Sequence, residues 1–169
     1  MPRPNENDFA PYYGRYIAQV KEDDLLIAFA NQNNIIESFL KSIPDAKWNY
    51  AYAEGKWTIK ELVQHIIDAE RIFAYRALRI SRKDETPLPG FDENSYAPAS
   101  EAARRSATSL TEEFIAVRKA TELLFKSFTG DMLQYKGVAS NQPVSVNALG
   151  FIIVGHFYHH KNIAEERYL

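Results

Sequence analysis

The stretch Leu149-Gly150-Phe151-Ile152-Ile153-Val154-Gly155-His156-Phe157-Tyr158-His159-His160 carries the reading of this chain. At 100° per residue, His156 and His160 fall one turn apart on a helix face shared with Leu149, Ile152, Ile153, Ile163 and Ala164. Two imidazoles therefore point into an apolar stripe, where a polar group is costly unless something satisfies it. A transition-metal ion engages two neighbouring imidazoles at once; hydrogen bonds inside a core satisfy them as well. The spacing leaves both readings open, and a third ligand elsewhere in the chain would decide between them.

Working outward, periodicity defines three more helices. Leu25, Phe29, Gln32, Ile36, Phe39 and Leu40 recur at helical spacing between the acidic Glu22-Asp23-Asp24 and Pro44. Gln32 is the one polar residue on that stripe and is expected at its edge, with its amide in water. After a turn region from Pro44 to Trp57, Thr58-Ile59-Lys60-Glu61 has the spacing of a capping box. The helix it opens is predicted to reach about Arg82, with Ile59, Leu62, Val63, Ile66, Phe73 and Ala74 on its main stripe. Arg76, Arg79, Arg82 and Lys83 gather near its C-terminal end, where the helix dipole favours cations without any substrate. His65 lies on a flank of this helix with Leu62, Ala69 and Ile72, so the helix is expected to bury more than one face. Asp68 and Glu61 stand one turn either side of His65. Each has the spacing to accept the second N–H of a ligating imidazole; Asp68 is the candidate retained, and Glu61 is read as solvated.

Residues 83–99 contain three prolines and a glycine and cannot form one regular element. A connection this long in a small helical domain usually crosses the bundle or covers a site, and Phe91, Asp92 and Tyr96 are candidates for a pocket mouth. A third long helix is predicted from about Ser100 to Phe128, ended by Gly130. Gln134 to Val138 reads as extended, and the last helix is capped by Ser145 and runs nearly to Leu169. Residues 9–20, with Tyr12, Tyr13, Tyr16 and Val20, form a short helical turn or an arm lying on the body. Four long helices without a convincing sheet predict an all-α four-helix bundle, one domain over residues 1–169. Sites in bundles are built on facing helices, so His65 could meet His156 and His160.

Composition narrows the chemistry. With no cysteine, disulfides, thiolate metal sites and a cysteine nucleophile are excluded, and any metal must use nitrogen and oxygen ligands. Hydrophobic residues at 46% and charged residues at 25% argue against disorder. A net charge of -2 provides no electrostatic reason to expect nucleic acid or an anionic membrane as partner. No stretch approaches the roughly 20 apolar residues of a membrane span, and the first residues lack an apolar leader; a cytoplasmic protein is expected.

The segment Gly55-Lys56-Trp57-Thr58-Ile59-Lys60-Glu61-Leu62-Val63-Gln64-His65-Ile66-Ile67-Asp68 resembles the G-K-W-[ST]-x-x-E-x-x-x-H-x-x-D segment of the DinB-like superfamily, which includes YfiT-type metal-dependent hydrolases. His156-Phe157-Tyr158-His159-His160-Lys161-Asn162-Ile163 is similar to that superfamily's H-x-x-H-H-x-x-I segment. The resemblance implies a four-helix bundle with a long crossover connection, a homodimer, and a divalent metal, zinc or nickel, held by His65, His156 and His160. His159 falls beside the metal face as a neighbour. It also implies a small-molecule substrate and one of three activities: thiol-dependent S-transfer, isomerisation with a low-molecular-weight thiol, or hydrolysis. Three neutral imidazoles leave the ion its full charge and an open position, so the expected function is a metal-dependent transferase or hydrolase in which the metal activates a thiol or water. The alternative is a non-catalytic metal-containing protein that binds a small molecule, or a stress-related dimeric bundle.

Overall fold

In the computed structural model, which describes residues 1–169, the chain runs through α1 (Gly14–Ile17), α2 (Leu25–Ser42), α3 (Ile59–Ser81), α4 (Glu93–Ala99), α5 (Ala107–Lys126), α6 (Gly130–Gln134), β1 (Lys136–Ala139), β2 (Gln142–Ser145) and α7 (Val146–Arg167). The four long helices α2, α3, α5 and α7 form the bundle, with α3 packed on both α5 and α7 and α2 closing the other side. Their ends follow local chemistry. Asp24 accepts from the amides of Leu26 and Ile27 at 2.9 and 3.1 Å to open α2. At α3 the capping box is formed in full: Thr58 Oγ1 accepts from the Glu61 amide at 3.2 Å, and the Glu61 carboxylate accepts from the Thr58 amide at 2.8 Å. Ser145 caps α7 through the Ala148 amide at 3.1 Å.

Three details differ from the sequence expectation. The third long helix begins at Ala107 instead of Ser100, because Glu101 adopts a left-handed φ of 49° that breaks the helix and Ser106 supplies the true cap. The proline-rich connection contains the short α4, opened by the Asp92 carboxylate and carrying Pro98. Of the stretch expected to be extended, Gln134 to Val138, Gln134 instead ends α6, and the strand begins at Lys136 and pairs with residues 142–145 as a hairpin in which Lys136 faces Ser145. Ser140 and Asn141, at φ 52° and 62°, make its two-residue turn with the positive φ values such hairpins favour. Leu88 joins the hairpin end, donating to Val138 O at 2.8 Å and accepting from the Ser140 amide at 3.0 Å. The long connection is thereby held down over one end of the bundle.

The core divides in two, and each long helix carries a polar residue near the division. Leu25, Phe29, Phe73, Phe125 and Phe151 belong to one apolar cluster; Ile36, Phe39, Ile66, Phe114 and Phe157 belong to the other. Between these named residues, in sequence, lie Gln32 on α2, Glu70 on α3, Arg118 on α5 and His156 on α7. Arg118 reaches both Glu70 oxygens, at 2.9 and 2.8 Å, and bonds Gln32 Oε1; Gln32 Nε2 donates to Val154 O at 2.9 Å. One buried network thus ties together all four helices. Gln32 is fully buried, not at a wet stripe edge as expected, because its amide has a donor and an acceptor waiting on α5 and α7. No helix is long and apolar enough to cross a membrane.

Candidate metal centre

His65 from α3 and His156 and His160 from α7 meet across the helix pair. His156 Nε2 lies 3.1 Å from His65 Nε2 and 3.0 Å from His160 Nε2, and the three nitrogens all fall within 4.8 Å of one another. A neutral imidazole nitrogen carries either one hydrogen or one lone pair, so His156 Nε2 cannot complete a good hydrogen bond to both neighbours. Three lone pairs directed at one ion remove the conflict. A tetrahedral ion with bonds of about 2.0–2.1 Å keeps its nitrogen ligands about 3.3 Å apart, close to the two separations from His156. Protonation is no obstacle. Burial lowers the His65 pKa to about 4, with the His159 charge adding to the effect. Burial also holds His156 and His160 well below the ordinary range, and the neighbouring histidines push the same way. The donor set is neutral, convergent and closed by no fourth histidine or carboxylate.

The nitrogens line a cavity of about 290 Å³ together with Tyr12, Tyr13, Arg15, Tyr16, Trp57 and Phe73. Trp57 lies against His65 with ring centroids 4.8 Å apart, and the Tyr16 ring stands edge-on to His156 at 5.3 Å. These aromatic walls come from three places: the N-terminal arm, the turn before α3, and α3 itself. The arm reaches α7 only because position 155 is glycine. A Cβ there would sit 2.0 Å from the Tyr16 carbonyl oxygen. His159, whose ring lies 5.1 Å from that of Tyr16, also lines the cavity without joining the three-nitrogen group.

The structure brings together the three histidines singled out in the sequence and does not bring Asp68 to them. Asp68 accepts from Gln64 Nε2 at 2.9 Å and makes no hydrogen bond to His65, while Glu61 is spent on the α3 cap. Phe91 reaches the cavity from the long connection, whereas Asp92 serves as the α4 cap and Tyr96 is exposed beside the Phe91 ring. Sequence reading missed Arg15, Arg76 and Ser140 as cavity residues. Arg76 does not decorate a helix end: it is 2% exposed and donates to Pro89 O at 2.7 Å and Ser140 Oγ at 3.0 Å. Only the density of tyrosines around Arg15 marked the arm as unusual.

A curated protein of Oceanobacillus iheyensis named "Putative metal-dependent hydrolase" is 34% identical over 65 residues, which cover 38% of this chain and only 37% of that protein. A Bacillus pumilus protein of the same name is 25% identical over 128 residues, covering 73% of this chain and 71% of the relative. Among solved structures, YfiT from Bacillus subtilis, described as "a probable metal-dependent hydrolase with an unusual four-helix bundle topology", superposes with a TM-score of 0.71 over 96% of this chain and 89% of its own, at 16% identity. A mycothiol-dependent maleylpyruvate isomerase superposes with a TM-score of 0.67 at 12% identity, covering 85% of this chain and 59% of the isomerase. These two likenesses are of fold. The family model of the DinB superfamily matches residues 28–164, a span that takes in most of α2, all of α3 and α5 and all three histidines, and the chain belongs to that superfamily.

Proposed function

We propose that His65, His156 and His160 hold a divalent metal ion, zinc or nickel, and that the protein is a metal-dependent transferase or hydrolase acting on a small molecule bound in the adjoining cavity. The observation that carries this reading is the convergence of three neutral imidazole nitrogens, with no fourth protein ligand, on the wall of a cavity. A structural site is normally closed by four protein ligands, whereas three ligands with an open position are the catalytic layout. Bound there, the ion would supply a Lewis acid able to lower the pKa of a coordinated thiol or water toward neutrality. The chain's own residues do the rest. Trp57, Phe73 and Tyr16 exclude bulk water from the side of the histidines, which strengthens every charge interaction inside. Burial raises the Tyr16 pKa above its ordinary value, as does the neighbouring Tyr12 hydroxyl, so Tyr16 keeps its proton at neutral pH.

The names of the curated relatives favour hydrolysis, and the fold shared with a mycothiol-dependent isomerase favours a low-molecular-weight thiol. Elemental analysis of protein purified without a histidine tag tests the common premise. About one equivalent of zinc or nickel is expected, with loss of the metal in His65→Ala and His156→Ala. Metal content unchanged in either variant, or no uptake by the wild type after reconstitution, would refute the proposal.

A further inference from the structure

Two guanidinium groups line the cavity, and neither is paired with a carboxylate. Arg76 is 2% exposed, yet both of its clear hydrogen bonds leave from Nη2 and end on neutral oxygens, Pro89 O and Ser140 Oγ. The Tyr13 hydroxyl stands close enough to share in its field, and burial lowers the Arg76 pKa. Several other arginines of the chain are paired with carboxylates. Arg118 is buried against Glu70, Arg105 and Arg71 share Glu113, and Arg79 has Asp84. A guanidinium cannot shed its proton, so burying one without an anion is costly. A strut between the long connection and the hairpin needs only a neutral donor. Arginine in that role leaves a charge over, facing the cavity.

Arg15 is the second cation. Its Nη2 donates to the hydroxyls of Tyr16, at 2.9 Å, and Tyr12, and its guanidinium lies over both rings, 4.8 and 4.0 Å from their centroids. The Tyr16 ring in turn touches His156 and His159, so this charge stands one aromatic ring from the histidines. On the other wall, the Arg76 guanidinium lies 5.7 Å from the Phe73 centroid, which is 6.0 Å from that of His156. Glu93 is the one carboxylate lining the cavity, and it forms an ion pair with neither arginine.

We infer that the cavity takes a substrate bearing an oxyanion, a carboxylate or a phosphate-like group, held against Arg76, with Arg15 adding positive charge nearer the metal ligands. The inference rests on the metal-site reading and names its substrate class. Guanidinium groups suit this task because they present several donors in a rigid fork to an oxyanion.

The test uses the protein loaded with cobalt and two series of ω-mercapto compounds of equal chain length, one ending in a carboxylate and one in a hydroxyl. Sulfur binding at cobalt gives a charge-transfer absorbance from which each Kd is read, and the ratio within a matched pair cancels the contribution of the alkyl chain. At the length that spans from metal to Arg76, the acid is expected to bind about tenfold or more tightly than the alcohol. Arg76→Gln should bring that ratio to within about twofold of unity while leaving alcohol affinity and cobalt content unchanged, and Arg15→Gln should reduce it in part. A matched sulfonate series separates a preference for a planar carboxylate from one for a tetrahedral, phosphate-like group. Alcohol and acid binding equally at every length in the wild type would overturn the inference while leaving the metal reading intact, and this comparison requires no variant to fold. A preference that survives Arg76→Gln also overturns it. Failure to take up cobalt, measured separately by elemental analysis, removes both readings together.

Discussion

Replacing Gly155 by alanine tests how the N-terminal arm is held against the histidine-bearing helix. The new Cβ would lie 2.0 Å from the carbonyl oxygen of Tyr16, 2.4 Å from its carbonyl carbon and 3.1 Å from its Cα. Ordinary contact begins near 3.4 Å, so the Tyr16 backbone must retreat by about 1.4 Å. It cannot do so alone, because Tyr16 O accepts from the Gln19 amide at 3.0 Å and the side chains of Tyr16 and Ile17 are buried at 5% and 4% exposure. Two effects oppose each other. Alanine gains about 1 kcal/mol over glycine in a helix interior, while forcing atoms into packed backbone costs about 1–3 kcal/mol, occasionally more. If the arm lifts instead, Tyr16 and Ile17 return toward water at about 1.5–3 kcal/mol for a large apolar side chain. A clash of 2.0 Å against backbone lies at the upper end of the packing cost, so after the propensity gain a net loss of about 2 kcal/mol is expected. Gly130 serves as the internal control, since a Cβ there meets nothing within 4 Å and Gly130→Ala should be neutral or slightly stabilising. Urea unfolding gives the stabilities, and hydrogen exchange over residues 14–20 reports whether the arm has lifted. Gly155→Ala with wild-type stability and an arm still protected from exchange would show that the close approach of arm and helix is misjudged.

Acid should weaken the metal-free protein in a defined window. The folded-state pKa of His65, about 4, lies below the unfolded value of 6.5, so above that value neither form is charged and the stability is complete. As pH falls from about 6.5 to 4 the unfolded chain binds a proton that the folded one refuses, and roughly 3 kcal/mol is lost from this residue before the curve flattens. Urea midpoints for chelator-treated protein at pH 7 and 5 check this, and equal midpoints would contradict the burial argument. Arg118→Met should cost about 3–5 kcal/mol, because it strands Glu70 at 2% side-chain exposure without its cation. Adding Glu70→Met should recover much of that loss, and a double variant no more stable than the single one would sink the stranded-charge explanation.

The local elements of this protein were legible in its sequence. Helix periodicity, the Thr58-Glu61 capping box, the Ser145 cap and the turn-and-a-bit between His156 and His160 depend on residues within four positions of each other, and backbone geometry converts such spacing directly into shape. The fold class followed, as did the pair of histidines on α7. The exact start of α5 did not, because it hinges on one left-handed residue, Glu101, and glutamate has no propensity that announces it. Nor did the places of Gln32 and Arg76, which composition and spacing assigned to water and to a helix end. Their partners are on other elements: Gln32 finds Arg118 and Val154 at separations of 86 and 122 residues, and Arg76 finds Ser140 64 residues away. The same holds for the centre itself. His65 and His156 are 91 residues apart and their nitrogens 3.1 Å apart, and helical spacing along α3 or α7 says nothing about that distance. A side chain's periodicity reports which face it shares with its neighbours in sequence. What lies opposite that face, and so whether a buried charge is satisfied or left open to a ligand, is set only when the helices pack.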